Sequence, residues 1–267
     1  MNKRLFRTQF NQMENIEKQV LMESLAARYD MTFLGLHTFD RWGQSSTTGI
    51  FEKDGRKFVF VPGDTVTLGW EQFAVGLNQE SREELEYLFR EWEMEPQNPE
   101  EMIRESMAPV RQAAIGPMLV GRELEELCWE SVKMDDPRLT AHPDWLKEFR
   151  DFAWSDSSSL TLHQSARIER TEDGFQTWIY NRTDYDELLT GLEKQGLSLP
   201  TADEWAYLCG GGCQTLFPWG DGLDYSMRLR WFEDMDEDEN RSYDMEEPNF
   251  FGLSIAYDPY MREVVQA

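Results

Sequence analysis

Apolar residues near the N-terminus recur at helical spacing. Between residues 12 and 29 they fall near one face of a helix: Met13, Ile16, Val20, Leu21, Leu25 and Ala27. The charged residues of the same segment fall mostly on the other faces. The pattern predicts an N-terminal helix that packs on the main body of the protein through this apolar stripe.

A β-hairpin is predicted next. Residues 48–51 and 56–61 flank the dipeptide Asp54-Gly55, which suits the positive φ angles of a tight turn. The second strand alternates phenylalanine with valine and ends at Pro62, because proline cannot donate a hydrogen bond to a neighbouring strand. A short segment over 65–70 follows, and a short strand is predicted over 174–181.

Capping signals predict several further helices. In a capping box, two side chains and two backbone N–H groups satisfy one another, and three pairs have this spacing: Ser81 with Glu84, Asp184 with Glu187, and Thr201 with Glu204. Apolar periodicity predicts two more helices over 121–133 and 142–152. Short strands, capped helices and a loop-rich last third together predict an α+β fold.

The chain is strongly acidic. It has 267 residues, with 26 Lys plus Arg against 51 Asp plus Glu, which gives a formal net charge of −25. Nucleic-acid phosphates and anionic membrane surfaces repel such a charge, so neither is expected as a partner. Aromatic residues make up 13% of the chain, which predicts a packed core.

The sequence also bears on the compartment. No segment has the apolar length of a transmembrane helix, and the N-terminal residues lack the apolar core of a secretory signal. Three cysteines cannot form a disulfide framework in a chain of this length. We therefore expect a cytoplasmic protein.

Four segments resemble elements of one enzyme family, in the family's order. They are VPGDTVTLG over 61–69, LPTADEWAY over 199–207, FPWGD over 217–221 and PNFFGL over 248–253. Together they resemble the formylglycine-generating enzyme, or sulfatase-modifying factor, family. The resemblance implies an irregular, loop-rich fold related to C-type lectins. On this interpretation residues 1–46 are an N-terminal helical extension and residues 47–267 form the family's domain.

The resemblance fails where the family keeps its catalytic residues. Its oxidases bind copper through a cysteine pair near the C-terminal end, and no cysteine follows Cys213 here. Related iron-dependent sulfoxide synthases use a histidine cluster, whereas His37, His142 and His163 lie far apart in this sequence. Residues 254–264 replace the family's GNVWEW segment and retain only Glu263. The resemblance therefore implies a member without the usual oxidase chemistry.

An acidic run over 233–239 is the densest candidate cation site, and the family resemblance also implies Asn249 as a calcium ligand, although the Gly-Asn that follows in the family is missing here. It contains Asp234, Asp236 and Asp238, whose spacing is similar to that of a calcium loop, since calcium prefers carboxylate oxygen. Glu239 stands where an EF-hand needs glycine, so a solvated acidic loop is the alternative. No cofactor other than calcium is expected.

The cysteine motif CGGGC, from Cys209 to Cys213, also has two interpretations. It is either a redox pair or half of a metal site, or else a tight turn with two partly buried thiols. The spacing differs from the C-x-x-C of thioredoxins and zinc ribbons, which favours the turn.

Three functions are compatible with the sequence. The first is a non-catalytic scaffold that binds a protein or a small ligand through its loops, and we favour it. Its candidate binding residues are Trp219, Asp221, Asn249 and Tyr257, in or near the aromatic loops 219–225 and 257–260. The second is a divergent metal-dependent oxidoreductase of the same superfamily. The third is an acidic immunity- or decoy-type protein that binds a basic partner, because opposite charges steer association.

Overall fold

A computed structural model describes residues 2–93, 98–171, 173–229 and 242–266. The chain divides into two compact units. The first unit consists of Met1–Leu124 together with Pro200–Ala267, and the second unit is Glu125–Leu199. Both units combine helices with antiparallel sheets, so the predicted α+β class is confirmed. Within the described ranges, no helix is both long and apolar enough to cross a membrane.

The helices and strands of the described residues are as follows. The α-helices are α1 (Arg7–Asn11), α2 (Asn15–Tyr29), α3 (Gln79–Glu91), α4 (Pro99–Ser106), α5 (Pro137–Thr140), α6 (Pro143–Ala153), α7 (Tyr185–Lys194) and α8 (Ala202–Gly210). The strands are β1 (Thr32–Arg41), β2 (Gln44–Lys53), β3 (Arg56–Val61), β4 (Asp64–Leu68), β5 (Arg111–Ile115), β6 (Met118–Gly121), β7 (Trp129–Val132), β8 (Ser159–Leu162), β9 (Ala166–Thr171) and β10 (Gly174–Tyr180).

The first unit has one core between two sheets and α8. Its sheets are the antiparallel β1-β2-β3-β6 and the two-stranded β4-β5. The core residues come from β2 to β5, from α8 and from the loop around residue 250: Ile50, Val59, Val61, Val66, Leu68, Ala113, Ile115, Tyr207, Leu208, Phe250, Phe251 and Leu253. Segments from the two ends of the sequence therefore share one core.

The predicted hairpin is confirmed and is longer than expected. Asp54 and Gly55 have φ angles of 52° and 77°, as the turn between β2 and β3 requires. The sequence pattern missed β1, which pairs with β2 along its whole length. The predicted boundary after residue 46 falls inside β2, and the first unit contains residues on both sides of it.

The N-terminal helix is present, but only part of its predicted inward face is buried, with Leu25 in the core. Ile16 and Val20 are 68% and 61% exposed, while Lys18 and Met22 are buried. The Lys18 ammonium lies 4.8 Å from the centre of the Phe10 ring and donates a hydrogen bond to the Thr47 carbonyl at 3.1 Å. Burial lowers the pKa of Lys18. The helix carries apolar residues on two faces, and packing on β1 and β2 selects the face with the buried lysine.

The predicted helix over 121–133 is also wrong. This stretch contains the end of β6 and the strand β7, and Cys128 between them has a left-handed φ of 69°. Val132 is buried because β7 pairs with β10, whereas Leu124 and Leu127 remain 38% exposed. Pairing with a distant strand thus outweighs a local helical pattern.

The second unit is an antiparallel sheet of order β7-β10-β9-β8 with its own core. That core includes Phe149 and Phe152 of α6 together with Ile168 and Ile179 of the sheet, which confirms the helix predicted over 142–152. The sheet residues that alternate with Ile168 and Ile179 include Arg167 and Trp178. The Arg167 guanidinium lies 4.5 Å from the centre of the Trp178 ring.

The capping predictions are correct for two helices out of three. The boxes at Asp184–Glu187 and Thr201–Glu204 are both formed. The third helix begins three residues earlier than predicted, at Gln79, because the side-chain amide oxygen of Asn78 accepts a hydrogen bond from the Ser81 N–H and caps the helix. Ser81 therefore lies inside the first turn rather than at the cap.

Candidate functional site

The α8 segment is tied to the C-terminal residues through one glutamate. The Trp205 indole N–H donates to the Glu263 carboxylate at 2.6 Å, and the Ala256 N–H donates to its other oxygen at 2.6 Å. The Gln266 N–H donates to the Pro200 carbonyl at 2.8 Å. Glu263, the residue retained from the replaced segment, thus closes the C-terminal loop onto α8.

Asn249 holds the turn of the PNFFGL segment from inside the core. Its side chain is only 3% exposed. The amide NH2 donates to the Leu208 carbonyl at 2.8 Å, and the amide oxygen accepts from the N–H groups of Phe251 at 2.9 Å and Leu253 at 3.2 Å. Asn249 is therefore committed to backbone partners rather than to a ligand.

Asp221 plays the same role for another loop. It is 3% exposed, and one carboxylate oxygen accepts from the N–H groups of Val75 at 2.6 Å and Gly76 at 3.0 Å. The other oxygen accepts from the Leu216 N–H at 2.9 Å. Hydrogen bonds to a charged acceptor are stronger than neutral ones. Asp221 thus joins two segments that are distant in the sequence.

Trp219 stands in the turn that Asp221 closes. Its ring stacks on Phe217 with centroids 4.8 Å apart and lies 5.4 Å from the ring of Trp42. The indole N–H donates to the Gly222 carbonyl at 3.1 Å. Trp219 remains half-buried. Trp219 and Asp221 are therefore brought together in one turn, while Asn249 bonds to α8 and to its own turn.

The other predicted site residues are placed as follows. Tyr257 is half-buried in the C-terminal segment. The predicted calcium ligands Asp234, Asp236 and Asp238 lie outside the described residues. Within the described part of the chain, no group of three or more His, Cys, Asp or Glu side chains is arranged to hold a metal ion.

The CGGGC motif forms the end of α8 and the turn after it. Gly211 has a left-handed φ of 62°, and a Cβ there would lie 2.7 Å from the Phe250 ring, so the turn needs glycine. Both thiols are free. Burial raises the pKa of Cys209 far above its usual range, and the Glu263 carboxylate adds to the effect. Burial also raises the pKa of Cys213. Both groups are held as thiols, which are poor nucleophiles and poor metal ligands.

We expect these two thiols to react slowly in the folded protein. In a Cys128→Ser background, modification of Cys209 and Cys213 by an aromatic disulfide reagent should be at least about tenfold slower than in urea, because only the thiolate reacts. Equal rates in the two conditions would contradict the buried-thiol interpretation.

The same raised pKa values predict how stability depends on pH. Above about pH 8.5 an unfolded cysteine loses its proton while the folded thiol keeps it, so stability falls as the pH rises. Urea unfolding at several pH values checks this, with the Cys209→Ala/Cys213→Ala protein as control. The control should lose less stability between about pH 8 and 10 than the parent.

One surface near Asp221 exposes apolar side chains. The Leu223 N–H donates to the Ser81 hydroxyl at 2.8 Å, and the Asn78 side chain donates to the Leu223 carbonyl at 2.8 Å. These bonds hold the backbone of residues 222–225 against the first turn of α3, yet Leu223 and Tyr225 are 42% and 46% exposed. We call residues 215–225 the display loop.

The sequence pattern predicts the aromatic loop 219–225 and the helix α3, but not that they lie side by side. Val75, whose N–H donates to Asp221, is 89% exposed, and Tyr87 of α3 is 51% exposed. The signal that could have found the α3 surface is the helical spacing of Glu80, Glu84 and Tyr87.

A function for this chain has to be argued from its own residues. Among the described residues are the hydrogen-bonded buried side chains of Asn249 and Asp221, two buried thiols and an exposed apolar surface at the display loop. Comparisons with protein-family models, with curated proteins and with solved structures found no match for this chain.

Proposed function

We propose that this protein is a non-catalytic binding scaffold that contacts a protein or small ligand through the display loop, and that it is a divergent member of the formylglycine-generating enzyme-like group. One observation carries the proposal. Asn249 and Asp221, the buried polar side chains of two family-like segments, both bond to backbone groups, and the Asp221 carboxylate alone accepts three such hydrogen bonds. A buried carboxylate in this state is a structural anchor rather than an acid, a base or a metal ligand.

The same bonds prepare the display loop for binding. Asp221 fixes the start of the turn and Ser81 fixes its end, so the loop is already ordered before a partner arrives. Ordering a loop on binding costs free energy, and a loop that is fixed beforehand avoids that cost. Tyrosine is favoured at interfaces because it offers a large contact area with few rotatable bonds.

A differential capture experiment tests the binding role. We expect a Leu223→Ala/Tyr225→Ala protein to capture at least about tenfold less of the main interacting protein or metabolite than the parent does, since central interface anchors dominate affinity. The matched control is Leu34→Ala/Tyr29→Ala, whose side chains are 45% and 47% exposed elsewhere on the first unit. Equal loss in both variants, or unchanged capture by the display-loop variant, would contradict the proposal.

Metal analysis tests the non-catalytic part. The purified protein is expected to carry copper and iron at far below one ion per chain. Stoichiometric copper or iron would instead favour the divergent oxidoreductase, since both metals are held by dedicated ligand sets.

A further inference from the structure

We propose that the partner of the display loop is a basic segment, rich in lysine or arginine and carrying apolar side chains, and that α3 forms the second half of its binding surface. This inference rests on the proposed function and names the chemistry of the partner. It starts from two exposed tyrosines, Tyr87 on α3 and Tyr225 in the display loop.

The outer face of α3 carries an acidic stripe beside these tyrosines. Glu80, Glu84, Tyr87 and Glu91 are spaced by four, three and four residues, so they follow one face of the helix over about 16 Å. All four are exposed. We call these four residues the α3 stripe.

The display loop lies directly against this stripe. The Leu223 backbone is bonded to both Asn78 and Ser81 at the first turn of α3. Desolvation raises the pKa of the Tyr225 phenol, and the nearby carboxylates of Glu84 and Glu80 raise it further. Leu223 and Tyr225 therefore lie beside the first turns of α3, where the α3 stripe begins.

The rest of α3 carries charges of both signs. Arg82 and Arg90 lie off the stripe, as do Glu83 and Glu86, and the two arginines donate to the backbone carbonyls of Leu77 and Glu86. Among the residues that the structure describes, no cation lies within salt-bridge distance of Glu80, Glu84 or Glu91. Within this part of the chain, no neighbouring cation offsets the negative charge of the stripe.

This arrangement is unfavourable for the isolated helix. Like charges four residues apart, as at Glu80 and Glu84, destabilise a helix. A cationic partner would remove the repulsion, and the net charge of −25 would speed its approach. The tyrosines beside the stripe supply apolar contact and can stack on lysine or arginine. Acidic and aromatic groups together therefore select a segment that is basic and partly apolar.

The experiment uses the full chain and two fluorescein-labelled peptides. One has four lysines and two tryptophans, and the other has glutamines in place of the lysines. Fluorescence anisotropy should show saturable binding of the lysine peptide and binding of the glutamine peptide that is at least about tenfold weaker. Equal binding of both peptides, or no binding of the lysine peptide, would overturn the inference.

Variants then test the location. Glu80→Gln/Glu84→Gln/Glu91→Gln is expected to weaken lysine-peptide binding by about tenfold, and Tyr87→Ala by about threefold. The control Glu123→Gln/Glu148→Gln/Glu193→Gln removes the same charge from exposed positions elsewhere and should change binding less than about twofold. An equal loss in both triple variants would show that net charge alone attracts the peptide, and would overturn the assigned surface.

Two features keep the test decisive. Removing like charges from α3 relieves repulsion, so the stripe variant is expected to unfold no more easily than the parent, which circular dichroism checks. The display-loop variant separates the two proposals. If the display-loop variant loses its captured partner while the parent protein does not bind the lysine peptide, the proposed binding role of the loop is supported and a basic partner is excluded. If neither the partner nor the peptide depends on the loop, both fail.

Discussion

Replacing Asn249 with alanine lowers the free energy of unfolding by about 2–4 kcal/mol, because three backbone groups in the core lose their partner. The groups are the Leu208 carbonyl and the N–H groups of Phe251 and Leu253. The side chain is 3% exposed, so water cannot easily replace it. Urea unfolding measures the change.

The control for this substitution is an asparagine on the surface. Asn11→Ala removes the same side chain from an exposed position near the end of α1 and should change stability by less than about 0.5 kcal/mol. If Asn249→Ala were as mild as the control, Asn249 would not be the anchor of its turn, and its amide would be available for a ligand.

The second large effect concerns Asp221. Asp221→Asn keeps the size of the side chain but replaces one accepting oxygen with an NH2 group, which cannot accept from a backbone N–H. We expect a loss of about 1.5–3 kcal/mol in urea unfolding, the range for a hydrogen bond to a charged group. Because the display loop depends on the same carboxylate, this variant should also weaken partner capture.

An exposed aspartate supplies the comparison for Asp221. Asp54→Asn removes the same charge at the β2–β3 turn, where asparagine also tolerates a positive φ. Its stability should lie within about 0.5 kcal/mol of the parent. A similar loss in both variants would point to net charge rather than to the buried hydrogen bonds.

Features fixed by neighbouring residues could be predicted from the sequence. The Thr201–Glu204 box and the Asp54-Gly55 turn each need only a few consecutive residues, and both are formed. The α8 helix and the hairpin, which position much of the first core, were predictable for this reason.

Features that depend on distant partners were not predictable. The choice between the Ile16 face and the Lys18 face of α2 is made by packing on β1 and β2, and β1 itself was missed. Asp221 was a candidate from the family resemblance, but its partners Val75 and Gly76 lie about 145 residues away in the sequence. Local patterns cannot identify such pairs. The sequence therefore predicts a ligand-binding role for Asp221 and not its structural role in holding the loop.

The acidic stripe is visible in the sequence, but its proposed role is not. Its spacing is visible in the sequence, but only docking of Leu223 and Tyr225 beside α3 makes it one surface with an exposed tyrosine. A charge pattern acquires a functional meaning when the fold places an apolar neighbour next to it.

Hydrogen exchange at three backbone amides tests the central claim most directly, namely that Asp221 holds the display loop as a fixed binding surface. The amides are those of Val75, Gly76 and Leu216, which all donate to Asp221. They should be protected in the parent protein and exchange at least about tenfold faster in Asp221→Asn, while the amides of α8 keep their protection. Unprotected amides in the parent, or no difference between the two proteins, would contradict the account.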